Sequence, residues 1–99
     1  MNNTERLFTE SDKFQTVAQE RLGVSAAKWL NIAFKLDYIS LSCKEKIDNL
    51  LRKADEMKRL HVTHAVSNQD ILDMMTITEI ASNTRFSETQ LKTITQSSL

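Results

Sequence analysis

Across 99 residues this chain has no proline and a single glycine, Gly23. Sheet-built proteins turn through corners rich in both residues, so their near-absence excludes a β-sandwich or barrel and leaves helices. A glycine-rich phosphate cradle is excluded for the same reason. The length suits one domain, and 40% hydrophobic residues supply enough apolar surface for folding rather than disorder. The lone Cys43 cannot staple a fold, which fits a reducing compartment. No apolar run approaches the roughly 20 residues of a membrane helix. The polar residues 1–13 lack the apolar stretch of a signal peptide. The expected architecture is all-α: a small single-domain bundle of four to six helices with helix-turn-helix-like corners, cytoplasmic and without a membrane partner.

Caps and periodicity place the helices. Ser11 opens a stretch in which Phe14, Val17, Ala18 and Leu22 recur at helical spacing, and Gly23 suits the C′ position after it. Ser25 caps a second helix over about 26–39, with Trp29, Ile32, Ala33, Leu36 and Ile39 on one stripe. Ser42 and Glu45 have capping-box spacing. The helix they open is predicted to run to about His64, with Ile47, Leu50, Leu51, Ala54, Met57 and Leu60 facing one way. Ser67 with Asp70, Thr76 with Glu79, and Ser87 with Gln90 predict three short helices near 68–75, 77–83 and 88–96. The predicted core includes Trp29, Leu30, Ile47, Leu50, Leu51, Phe86 and Leu91.

The net charge of zero conceals a segregation. Residues 1–20 hold two basic groups against four acidic ones, net −2. Residues 21–59 hold nine against five, net +4, and residues 60–99 hold two against four, net −2. A basic middle can form a local phosphate-binding face even where the whole chain is neutral. Lys28, Lys35, Lys44, Lys46, Arg52 and Lys53 are its candidate phosphate contacts. The competing reading is a solvated helix face carrying i,i+4 pairs such as Asp48–Arg52.

Enzyme chemistry finds no support in the residue pattern. His61 and His64 have a spacing that metal ligands use, but Cys43 sits at the far end of the same predicted helix, so the pair reads as polar residues at a helix end. Cys43 lies at a predicted helix N-terminus, where the dipole favours a thiolate. No histidine is marked as its base, so it reads as a half-buried structural thiol. No cofactor motif is present.

Two segments have helix-turn-helix spacing. In residues 17–32, Gly23 occupies the corner between Leu22 and Val24, Ser25 caps, and Trp29 and Ile32 point inward. An ordinary αα-corner has the same pattern. In residues 76–94, Ala81, Phe86, Leu91 and Ile94 follow the spacing of AraC-type regulators. Arg85 stands there in place of glycine, where the left-handed conformation costs about 1–2 kcal/mol. Arg85, Gln90 and Lys92 form a second candidate DNA surface, and a packing or dimerisation hairpin is the alternative.

The stretch 26–32 (Ala-Ala-Lys-Trp-Leu-Asn-Ile) followed by 42–53 resembles the PerC-like transcriptional activators of enteric bacteria, the group that includes the Pch regulators. The matching positions are Gly23, Ala26, Ala27, Lys28, Trp29 and Leu30, then Lys44, Glu45, Lys46 and Ile47. The resemblance covers roughly residues 17–58. Val24 and Ser25 stand where the family has an arginine-rich run, and residues beyond 60 have no counterpart. The resemblance implies a nucleoid-associated DNA-binding activator of virulence genes that opposes silencing by a nucleoid protein. Double-stranded DNA is thus the expected partner, and a homodimer would double the contacts by reading two half-sites. A nucleoid protein or another regulator is a further candidate partner. The alternative function is a small helical protein-interaction module, an adaptor or inhibitor of a regulator that touches no DNA.

Overall fold

A computed structural model describes residues 2–61, 66–82 and 87–97. It is an all-α bundle. Its five helices are α1 (Asn3–Val17), α2 (Ala26–Lys35), α3 (Leu41–Leu60), α4 (Asn68–Ala81) and α5 (Glu88–Ser97), and a π-helical turn (Ala18–Leu22) extends α1 to the corner at Gly23. The described residues contain no strand.

α1 carries the organising stripe. Thr4, Leu7, Ser11, Phe14, Ala18 and Leu22 are all buried, three or four residues apart as one face of a helix requires. That stripe starts well before Ser11. Asn2, not Ser11, caps α1 by accepting from the Glu5 amide at 2.8 Å. Ser11 is fully buried mid-helix, its hydroxyl 3.3 Å from the Gln15 side-chain amide.

α4 packs alongside α1 in the same direction. At one end the Asn3 amide donates to the Val66 carbonyl at 2.7 Å and to Asn68 at 3.0 Å; farther along, the Thr78 hydroxyl lies 3.4 Å from the Glu10 carbonyl. α4 is one continuous helix where two were predicted. Thr76 caps nothing; its hydroxyl donates back to the Leu72 carbonyl at 3.0 Å, a bond that lets threonine sit inside a helix. Ile71, Met74, Ile77 and Ala81 face inward. α3 runs antiparallel to α4, burying Ile47, Leu50, Ala54 and Met57.

Two other boundaries differ from expectation. α2 stops at Lys35 because Asp37 adopts a left-handed conformation (φ 61°). The Tyr38 and Asp37 amides then donate to the Ala33 and Phe34 carbonyls, a Schellman end made without glycine. α3 is capped by Ser40 rather than Ser42 and ends at Leu60, with left-handed His61 (φ 52°) behind it. Leu60, placed inward by periodicity, is half-exposed in that last turn, and Leu51 is only half-buried. Phe86 lies outside the described residues.

The tryptophan holds the corner together. Trp29 and Phe14 are both fully buried and meet edge to face, ring centroids 5.4 Å apart at 73°, a favourable arrangement of the two ring quadrupoles. Gly23 has φ 70° and open space where a Cβ would sit. Gly23→Ala therefore adds only backbone strain, and urea denaturation should show a loss of about 1–2 kcal/mol with helicity unchanged. Phe14→Ala should cost about 3–5 kcal/mol by opening a cavity under Trp29.

Candidate nucleic-acid interface

α2 is positioned by the corner before it. The left-handed Gly23 ends the π turn, and the Ser25 hydroxyl accepts from the Lys28 amide at 3.2 Å, capping the new helix. α2 buries Ala26, Trp29, Leu30, Ile32 and Ala33. Ala27, Lys28, Asn31 and Lys35 are left exposed. Lys28, Asn31 and Lys35 are spaced by three and four residues and share the outer face of the helix.

The lysines of α3 are used differently. Lys46 pairs with Asp73 and Lys53 with Asp70, both at 2.9 Å across to α4; Lys44 pairs with Asp48 at 3.0 Å within α3. Lys58 pairs with Asp12 of α1 at 2.6 Å and lies 5.2 Å from the Phe8 ring centroid. The basic middle thus meets the acidic flanks in space. Arg52 donates to Asn49 rather than pairing with Asp48. It lines a groove with Gln15, Ser25, Asp48 and Asp55, whose two carboxylates oppose a phosphate there.

The second predicted surface divides similarly. Gln90 is spent on capping: the Ser87 amide donates to its side-chain oxygen at 3.0 Å, and its own amide donates to the Ser87 hydroxyl at 3.2 Å. This is the capping box read from the sequence. Lys92 is exposed beside Arg21 in a shallow depression shared with Glu88 and Thr95. Arg85 lies outside the described residues, as does His64. Among the described residues, no carboxylate lies within ion-pair distance of Arg21, Lys35 or Lys92.

Cys43 is a half-buried free thiol whose amide donates to the capping Ser40. His61 is exposed at the end of α3. Among the described residues no group of three histidine, cysteine, aspartate or glutamate side chains is arranged to hold a metal, and no helix is long and apolar enough to cross a membrane.

Sequence reasoning assigned no role to Asn31, which lies at the centre of the exposed α2 face. The signal was its position between Lys28 and Lys35. No family model matches the chain, and neither a curated protein nor a solved structure matches it.

Asp73 shows the electrostatics of the α3–α4 seam. Burial works to raise its pKa, but hydrogen bonds from Lys46 and Gln69 and the Lys46 charge outweigh that effect and hold it below the ordinary 3.8. A carboxylate with a lowered folded-state pKa adds stability that is complete above its unfolded pKa and lost as pH falls through the folded one. Asp73→Asn should therefore flatten the acid limb of the stability–pH curve below about pH 4, followed by urea denaturation. Because Lys46 is 57% exposed, a double-mutant cycle with Lys46→Ala should give a coupling below about 1 kcal/mol at pH 7.

Proposed function

We propose that this chain is a DNA-binding transcriptional regulator that lays α2 against duplex DNA. One observation carries the reading: behind a left-handed glycine corner, a capped helix presents Lys28, Asn31 and Lys35 on one exposed face. A helix of that kind, entering the major groove after a tight corner, is how helix-turn-helix proteins engage DNA. Lys28 and Lys35 are about 10 Å apart along the helix at 1.5 Å per residue, so their long side chains can reach successive phosphates of the backbone beside the groove in which the helix lies. Arg21 and Lys92 lie near the corner, where Glu88 offsets part of their positive charge.

Lys44, Lys46 and Lys53 contribute less in this reading, because each must exchange a carboxylate for a phosphate. A neutral chain gains little long-range steering. Its affinity rests on the local face and increases when two copies bind two half-sites. The resemblance of residues 17–58 to the PerC-like activators adds a role at virulence promoters, against a silencing nucleoid protein.

A second reading is a protein-interaction module without DNA. It is favoured by Leu72 and Met75, which are 55% and 38% exposed on the outer face of α4, together with zero net charge.

Fluorescence-anisotropy titration of a labelled duplex at two salt concentrations separates the two. The DNA reading expects binding at low salt that weakens as salt rises. Lys28→Gln/Lys35→Gln should lower the salt slope by about two, while Lys46→Gln/Lys53→Gln retains most of the affinity. Absence of binding at low salt overturns the reading in favour of a protein partner, and equal losses in the two double variants overturn the placement on α2.

A further inference from the structure

Asn31 differs from the other asparagines of the described residues in having no hydrogen-bond partner. Asn2 caps α1, Asn3 and Asn68 bond each other, and Asn49 accepts from Arg52. Asn31 sits mid-helix and exposed, and among the described residues nothing bonds to its carboxamide. Asparagine is a poor residue for a helix interior, because its amide competes with the backbone and earns its place at caps and turns. At position 31 it does neither. An outer helix face calls for a polar side chain there, but folding does not require that it be an amide, a weaker helix former than lysine, glutamine or glutamate.

We infer that Asn31 is the base-reading residue of α2 and takes adenine in the major groove. The inference rests on the DNA reading above. A carboxamide offers one donor and one acceptor side by side, which matches the adenine N7 acceptor and N6 donor in a bidentate pair. Lys28 lies three residues before it and Lys35 four after it. At about 3.6 residues per turn Lys28 and Lys35 both lie to one side of Asn31, so with the shorter Asn31 side chain toward the groove floor the two lysines reach the phosphates along one groove wall. Ala27, one residue before Lys28, is small and exposed, leaving room for close approach of the helix N-terminal half. The division of labour is then the usual one: lysines position the helix, and the amide between them specifies sequence.

The test is selection from a randomised duplex pool with wild-type protein and with Asn31→Ala, followed by titration of the selected duplex and of a partner in which the enriched A·T pair is replaced by G·C. Wild type should enrich an adenine and discriminate the replaced pair by roughly 5- to 150-fold. Asn31→Ala should lose that ratio, its affinity for the selected duplex falling to that for the replaced one, and should keep the wild-type salt slope, which the lysines set. Its thermal midpoint should be unchanged or raised, since alanine is the better helix former; a lowered midpoint would show a structural role and overturn the inference. Equal enrichment by wild type and Asn31→Ala also overturns it, as does wild-type binding without any sequence preference, and both leave the DNA reading standing. Wild-type protein that binds no duplex at low salt overturns both.

Discussion

Phe14 and Trp29 are fully buried against each other, and the rest of the architecture is arranged around where they meet. Phe14 belongs to the same buried stripe of α1 as Leu7 and Ser11. One row of side chains therefore serves both ends of the molecule, packing α4 along its first half and receiving α2 beyond it. Trp29 is the largest side chain that α2 buries. Once it points inward, helical geometry turns Lys28, Asn31 and Lys35 outward. The candidate interface is in this sense a consequence of the core: the aromatic pair sets the rotation of α2 about its own axis, and the Gly23 corner sets the point at which that helix begins.

Electrostatics divides the positive charge into two populations. The charges segregate along the chain and recombine in space, because the long α3 lies antiparallel to α4 and brings Lys46 to Asp73 and Lys53 to Asp70. Such pairs are partly exposed and add little stability individually. Their larger effect concerns recognition, since each occupies a lysine with an anion that belongs to the protein itself. On α2 and around the corner, Lys35, Arg21 and Lys92 have no such carboxylate among the described residues. In a chain of zero net charge these cations stay out of ion pairs among the described residues, while Asp12, Asp70 and Asp73 are taken by lysines of α3.

The helical class, the corner at Gly23 and the inward direction of Trp29, Leu30, Ile47, Leu50 and Leu91 were legible in the residues. The boundaries were less so, and the errors share a cause. Serine and threonine serve as caps, but they are also small enough to be buried or to bond back to their own helix. Ser11 is buried mid-helix and Thr76 bonds to Leu72, so neither marks a start. The ends of α2 and α3 were placed too late because Asp37 and His61 take the left-handed conformation that glycine usually supplies. Aspartate and histidine enter that conformation more readily than most residues, but a single one after an apolar stripe does not mark a helix end as glycine does. On α2, Lys28 and Lys35 were read from the sequence as phosphate contacts and the structure leaves both exposed, whereas Asn31 drew no reading: its place between them was visible, but its exposure and its lack of a side-chain partner among the described residues were not.

The sequence by itself determined that this chain is helical, that it turns at Gly23, and which side of each helix is apolar. These follow from the scarcity of glycine and proline and from the period of the hydrophobic residues, which are properties of short stretches. Only the tertiary structure decided which cations remain available. Whether a lysine meets a carboxylate depends on which helices become neighbours and in which direction they run, and Lys46 and Asp73 are 27 residues apart in the chain. Long-range pairing of that kind is set by how the apolar stripes pack together, and no local pattern of charge encodes it.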